Sequence, residues 1–304
     1  MATILDQILD DTRALVEERR AVTPAAALMR RPAFHAPTLS LARALRRPDG
    51  PAYVAECKRA SPSEGVIRRE YDPADVARSY KNAAAAAISV LTEPAHFRGS
   101  LDDLAAVRHA VDLPVIRKDF VVDEYQLVEA RAYGADAVLL IVAALDPAAL
   151  ADLLGAARQL GLGVLVEVHD PAELDAVDLD AVDVLGVNSR DLRTFDVDLG
   201  RAERVFSVLP PRIVRVAESG IQTAADAARL RRAGADAFLV GTHFMRQPDP
   251  GRALATLRRE TAVALAGSGV PGSGFSSQTP RLNRDVVSTS SADASSLRTL
   301  NPEP

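Results

Sequence analysis

A chain of 304 residues, 48% hydrophobic and 25% charged with a formal net charge of -5, has the composition of a soluble globular protein with a large buried core. No block of basic residues is interleaved with aromatics, which argues against nucleic-acid or anionic-membrane partners and leaves a small molecule as the expected ligand. The single cysteine excludes an intramolecular disulfide and any CxxC site, no apolar run is long enough to span a bilayer, and Asp6, Asp10 and Asp11 stand where a signal peptide needs a basic and then apolar start, so the cytoplasm is the expected location.

Over residues 3–20, Ile4, Leu5, Ile8, Leu9, Leu15 and Val16 recur at helical spacing, with acidic residues between them and Arg19-Arg20 near the end. An amphipathic helix is predicted. Pro24, Pro32 and Pro37 predict an extended or turning stretch before a second short helix at 39–46, and residues 1–50 are read as an extension packed on the main domain.

From residue 51 an alternation begins. Short apolar, β-branched runs at 53–57, 88–91, 115–116, 137–141, 164–168, 182–187, 213–217 and 237–240 predict eight strands. Between them, segments of helical period lie at 73–84, 101–110, 124–133, 147–160, 171–176, 199–208 and 223–233, several opening on Asp-Pro or a Thr or Asp cap. Gly134 and Gly234 stand at helix ends just before the next strand, as C′ glycines do. Repeated βα units imply a parallel sheet, and eight of them across 51–264 predict a (β/α)8 barrel of the α/β class. A doubly wound sheet would carry a Gly-rich first turn, and no GxGxxG or Walker A sequence is present. Residues 265–304 turn to Gly, Ser, Thr and Pro without period and are expected to be a disordered tail.

Active sites of such barrels gather at the C-terminal ends of the strands. There this sequence places Glu56 and Lys58 on strand one, Lys118 with Asp119 and Phe120 on strand three, Glu167 on strand five, Asn188 and Arg190 on strand six, and Glu218, Ser219 and Gly220 on strand seven. Gly241 and Thr242 follow strand eight. On a strand, Glu56 and Lys58 share one face and Cys57 takes the other. A surface ion pair would account for Glu56 and Lys58 alone; coincidence of polar residues across five strands is harder to dismiss. The chain has only three lysines, Lys58, Lys81 and Lys118, and two of them are at strand ends. Ser219-Gly220 and Gly241-Thr242 put small residues at the starts of the last two helices, where backbone donors bind phosphate in many barrels.

The segments Glu56-Cys57-Lys58-Arg59-Ala60-Ser61-Pro62-Ser63, Leu91-Thr92-Glu93 with Phe97-Arg98-Gly99-Ser100, Arg117-Lys118-Asp119-Phe120, Glu167-Val168-His169, Asn188-Ser189-Arg190-Asp191-Leu192 and Glu218-Ser219-Gly220-Ile221 closely resemble the indole-3-glycerol-phosphate synthase family, in order and from the first helix to about Ala264. Ser189 stands where that family usually has a second Asn, and Thr242-His243 where Glu or Ser commonly follows the strand-eight glycine. The resemblance implies an enzyme of tryptophan biosynthesis that closes the indole ring of a phosphorylated anthranilate-sugar with loss of carbon dioxide and water. It implies that Lys118 is the acid for ring closure, that Lys58 binds the substrate carboxylate and assists dehydration, and that Glu56 is the base for that dehydration. Glu167 then orients Lys118 or shares proton transfer, Asn188 bonds the reacting hydroxyl, and Glu218 completes the catalytic set. Phe97, Phe120 and Leu139 resemble the family's anthranilate pocket, and Ser61, Arg190, Ser219, Gly220, Gly241 and Thr242 its sugar and phosphate contacts. A monomer or weak homodimer, open to contact with other tryptophan-pathway enzymes, is expected. His35, His96, His109, His169 and His243 show no ligand spacing, so neither a metal nor an organic cofactor is expected. The competing readings are another phosphate-binding barrel enzyme, of the phosphosugar isomerase or tryptophan synthase alpha type, and a non-catalytic barrel that binds a phosphorylated metabolite.

Overall fold

A computed structural model of the chain describes residues 3–191 and 194–267; the predicted tail beyond residue 267 and Leu192 lie outside the described residues. Eight parallel strands close on themselves in sequential order: β1 (Ala52–Cys57), β2 (Ala87–Leu91), β3 (Val115–Lys118), β4 (Ala137–Ile141), β5 (Gly163–Val168), β6 (Val184–Asn188), β7 (Val214–Glu218) and β8 (Ala237–Val240). Closure is made by β8 pairing with β1, with Ala52 opposite Ala237 and Ala55 opposite Val240. The predicted (β/α)8 barrel is therefore present.

Strand alternation divides the core into two layers. Tyr53, Ala55 and Cys57 pack outward among the surrounding helices, while Ala52 and Val54 join Ile116, Leu139, Leu165, Val184 and Val216 inside the barrel. The predicted opposition of Cys57 to Glu56 follows this pattern, and burial raises the Cys57 thiol pKa.

The helices begin and end by the local chemistry read from the sequence. Four helices, α1 (Ile4–Val22), α2 (Ala25–Leu28), α3 (Pro32–His35) and α4 (Leu41–Leu45), precede β1; beyond it Asp72 caps α5 (Pro73–Asn82), Ser100 caps α6 (Leu101–Ala110), Asp123 caps α7 (Glu124–Ala132), Asp146 caps α8 (Pro147–Gln159) and Thr223 caps α10 (Ala224–Arg232). Gly134 and Gly234 follow helix ends with φ of 87° and 105°, a conformation that a Cβ disfavours. The chain continues through α9 (Gly200–Phe206), α11 (Thr242–Met245) and α12 (Pro250–Ala266).

Three local predictions need correction. The proline-bearing stretch after α1 (Ile4–Val22) is not extended: it forms two single-turn helices, α2 (Ala25–Leu28) and α3 (Pro32–His35), because Pro24 and Pro32 fall at or beside a helix start, where proline's fixed φ helps. The segment at 171–176 is a 3₁₀ helix; Asp175 and Asp178 would place negative charge at an α-helix C-terminus, and Asp178 instead caps the next short turn. Strand three runs on to Lys118 because Arg117 and Lys118, polar in sequence, each find buried acidic partners.

The amino-terminal helix is fixed at both ends. Thr3 and Asp6 form a reciprocal capping box at its start, and near its end Arg20 pairs with Asp123 at 2.6 Å and Arg19 with Glu129 at 3.4 Å. Leu41 and Leu45 of α4 (Leu41–Leu45) pack with the first residues of the strands, against Ala52, Ala137 and Val184.

Candidate active site

The strand ends open on a cavity of about 400 Å³ lined by Glu56, Lys58, Lys118, Glu167, Asn188 and Glu218. Each comes from a different strand except Glu56 and Lys58, which β1 presents on one face as its alternation requires. The Lys58 ammonium lies 2.8 Å from Glu56 Oε2. Lys118 Nζ donates to Glu167 Oε2 at 3.2 Å and lies 3.6 Å from Glu218 Oε2. Asn188 Nδ2 donates to the other Glu167 oxygen at 3.1 Å, while Asn188 Oδ1 accepts the Arg190 N–H at 3.0 Å.

Buried ions on this scale persist only when they are paired. Burial opposes the charge of Lys118, but Glu167, Glu218 and Glu56 outweigh it and raise its pKa above the ordinary lysine value. Burial likewise opposes ionisation of Glu167, yet Lys118, His169 and the Asn188 hydrogen bond hold its pKa below the usual carboxylate value. Glu218 goes the other way: burial and the neighbouring Glu167 push its pKa well above that value, with Lys118 only partly offsetting them. Its Oε1 has no hydrogen-bond partner among the described residues. The site thus holds two carboxyl groups, Glu167 and Glu218, whose pKa values are pushed apart beside one ammonium.

Apolar side chains form the opposite wall. Phe97 and Phe120 lie 6.2 Å apart between ring centroids, with Leu139 beside them. The Phe97 loop is held by Glu93, whose carboxylate accepts the N–H groups of Ala95, His96 and Phe97 at 3.0, 2.7 and 2.9 Å. The Phe120 turn is held by Asp119, which accepts the Phe120 N–H at 2.9 Å and is itself paired to the fully buried Arg117.

Ser61, Arg190, Ser219, Gly220, Gly241 and Thr242 also line the cavity. Ser219 and Gly220 take successive left-handed conformations with φ of 63° and 77°. The N–H groups of Gln222 and Thr223 are taken by the Asp226 carboxylate. Arg190 Nη1 donates to the Phe195 carbonyl at 3.0 Å, which directs the guanidinium along the cavity wall. Every predicted site residue therefore lines one cavity. Among the described residues no cluster of His, Cys, Asp and Glu has the geometry to hold a metal.

The family model for indole-3-glycerol phosphate synthase matches residues 5–257. The chain belongs to this family. An indole-3-glycerol phosphate synthase from Salinibacter ruber is 53% identical over 260 residues, covering 85% of this chain and 96% of the relative. Another from Laribacter hongkongensis is 48% identical and covers 84% of this chain and 99% of its own length. Among solved structures, thiamine phosphate pyrophosphorylase from Pyrococcus furiosus superposes with a TM-score of 0.54 at 20% identity, over 73% of this chain and 99% of that one. Orotidine 5'-phosphate decarboxylase from Pyrococcus horikoshii does so with a TM-score of 0.53 at 15% identity, over 69% and 98%. These two share the fold.

The indole-3-glycerol phosphate synthase family barrel also brings to the cavity residues outside the set expected from the sequence. Ile4, Leu5 and Ile8 of α1 line its apolar side, and His243, Arg246 and Gln247 line it beyond β8. The apolar stripe of α1 was visible as a helical face; what that face covers depends on where the helix docks. His169, buried beside Glu167, stands in the Glu167-Val168-His169 segment of the family resemblance, but no role for it is legible in the sequence.

Proposed function

We propose that this protein is an indole-3-glycerol-phosphate synthase, closing the indole ring of 1-(2-carboxyphenylamino)-1-deoxyribulose 5-phosphate with loss of CO2 and water. The observation that carries this reading is the pair of lysine–carboxylate contacts, Lys58 with Glu56 and Lys118 with Glu167, on one cavity between an apolar wall and a run of small polar residues. An aryl ring, a carboxylate and a sugar phosphate need those three surfaces.

In the first step the ring carbon that bears the carboxylate attacks the ketone carbon; a carbon–carbon bond forms and the carbonyl oxygen takes a proton. Lys118 is the donor. Its three carboxylate neighbours keep it charged, and Glu167, accepting one of its hydrogens, aims it. Carbon dioxide then leaves and its bonding electrons restore the aromatic ring. In the last step the hydroxyl leaves as water, taking a second proton, while a base removes a proton from the adjacent carbon to form the double bond. Lys58 holds the substrate carboxylate at first and assists the departing hydroxyl later; Glu56, 2.8 Å from it, is the base. Asn188 hydrogen-bonds the reacting hydroxyl, and Glu218, 3.6 Å from Lys118, completes the catalytic set. Phe97, Phe120 and Leu139 take the anthranilate ring, and Ser61, Arg190, Ser219, Gly220, Gly241 and Thr242 take the sugar and phosphate.

Residues 1–50 serve this reading as an extension whose first helix walls the site, 51–264 as the catalytic barrel and 265–304 as an appendage. No helix among the described residues is long and apolar enough to cross a membrane. We place the enzyme in the cytoplasm as a monomer or weak homodimer, with tryptophan-pathway enzymes as candidate contacts. The test is to supply the named substrate to purified, folded protein and follow indole absorbance and CO2 release. Formation of both in equal amounts supports the reading; a folded protein that yields neither overturns it.

A further inference from the structure

His169 follows β5 and is 6% exposed, yet neither ring nitrogen makes a hydrogen bond among the described residues. It does not line the cavity. Instead its ring lies between two carboxylates: Nε2 is 3.8 Å from Glu167 Oε1 and Nδ1 is 3.5 Å from Glu173 Oε2. Glu173 is fixed in turn by accepting the His169 backbone N–H at 2.8 Å. The two oxygens of Glu167 are therefore shared out, Oε2 toward Lys118 and Oε1 toward Asn188, both on the cavity, with His169 behind Oε1.

From this arrangement we infer that His169 is a positioning residue: as an imidazolium clamped between Glu167 and Glu173, it holds Glu167 ionised and turned toward Lys118. A neutral ring would face a carboxylate with a lone pair on one side, in a place where water is excluded; an imidazolium presents an N–H to each. The surrounding charges favour it. Glu167 from β5 and Glu173 from the 171–176 turn raise the His169 pKa above the ordinary value, against burial, which acts first to lower it, and against Arg201 of α9, which is itself paired to Asp191 at 2.8 Å. On the far side, Glu167 faces Lys118 from β3 and Glu218 from β7. Glu167 thus has a cation on each side, and losing the rear one leaves it exposed to burial and to its own neighbour Glu218. The inference rests on the function proposed above for its catalytic meaning, but the clamp itself is measurable without substrate.

The experiment is a pH titration of the full-length protein by NMR, with carbon-13 in the histidine rings and glutamate carboxyls, for wild type, His169→Gln and Glu173→Gln. The His169 ring is expected to titrate above the ordinary midpoint of ~6.5, and Glu173→Gln to lower that midpoint. His169→Gln is expected to move the Glu167 carboxyl titration upward by about one pH unit, the effect of removing one nearby opposite charge. In turnover of the substrate, the acidic limb of the kcat profile should move upward with it. A ring that is neutral at pH 6.5 in the wild type, or a Glu167 titration unmoved in His169→Gln, overturns the clamp. A kcat that falls by one constant factor at every pH reduces His169 to packing and also overturns it. Should His169→Gln fail to fold, the wild-type ring titration and Glu173→Gln decide, since the glutamine oxygen still accepts the His169 N–H. Should the wild type not turn over the substrate, the proposed function fails while the two titrations still decide the clamp.

Discussion

Gly241 is placed so that a Cβ on it would overlap the carboxylate of Glu56. The first residue after β8 thus leaves room for an acid on β1, the strand with which β8 closes the barrel. Gly186 on β6 stands in the same relation to Glu218 on β7. Two of the site's three strand-borne glutamates, Glu56 and Glu218, rest on the absence of a side chain next door.

Gly241→Ala is expected to push Glu56 off Lys58 and lower turnover at least tenfold, with a stability loss of about 1–3 kcal/mol as for other overpacked sites. Steady-state kinetics together with a urea titration check this. Unchanged kcat in the alanine variant would mean that Glu56 relaxes without consequence.

Lys118→Met should reduce the single-turnover rate by ~10²- to 10⁴-fold, the usual worth of a general acid, while equilibrium binding of the substrate stays within about tenfold. Arg190→Met and Ser219→Ala should act the other way, mainly on binding. Met keeps the apolar stem of lysine without its proton, so the rate reports the ammonium. Near-normal turnover would remove Lys118 from the acid role and leave Lys58.

Glu218 gives a pH signature. Its folded pKa is raised, so between the unfolded carboxylate value of ~4.3 and the folded one the native state binds more protons than the unfolded state, and its contribution to stability is lost as pH rises. Glu167, with its pKa lowered, contributes stability above ~4.3 that is lost as pH falls through its folded value. Glu218→Gln, which cannot ionise, should therefore raise Tm at pH 7.5 by about 2 °C or more and by less at pH 4.5. A gain that is the same at both pH values would show that folding does not raise the Glu218 pKa.

Arg117 carries a different risk. Its guanidinium is shared between Asp119 at 2.9 Å and Glu129 at 3.1 Å, with the Gln126 carbonyl at 2.7 Å, all buried. Arg117→Met should destabilise the fold by about 3–5 kcal/mol, because it strands two carboxylates rather than removing one contact. A urea midpoint close to wild type would show that water or rearrangement can replace the guanidinium.

Much of this site was legible because a strand's period of two and a barrel's convergence of strand ends are both properties of local sequence. Glu56, Lys118, Glu167, Asn188 and Glu218 could be assigned to one mouth without knowing a single distance. What the sequence could not carry is relational. The clearance that Gly241 and Gly186 give to Glu56 and Glu218 exists only across strand pairs, and the docking of Ile4, Leu5 and Ile8 depends on tertiary contacts far along the chain. The charge of His169 depends on Glu173, four residues on, folding back over a 3₁₀ turn that sequence reading took for an ordinary helix. Even strand three was cut short at Ile116, since two consecutive basic residues look like a surface until their acids are found.

The capped first helix imposes an order of events on synthesis. Ile4, Leu5 and Ile8 are made before residues of their apolar cluster such as Phe120, Leu139 and Leu239, which come from β3 onward, and Leu239 belongs to the strand that closes the barrel. Closing so long a loop has an entropy cost that is repaid only when the last strand arrives. One wall of the cavity is thus made long before the strand that completes it, and a nascent protein has no binding site until nearly all of the barrel has been made.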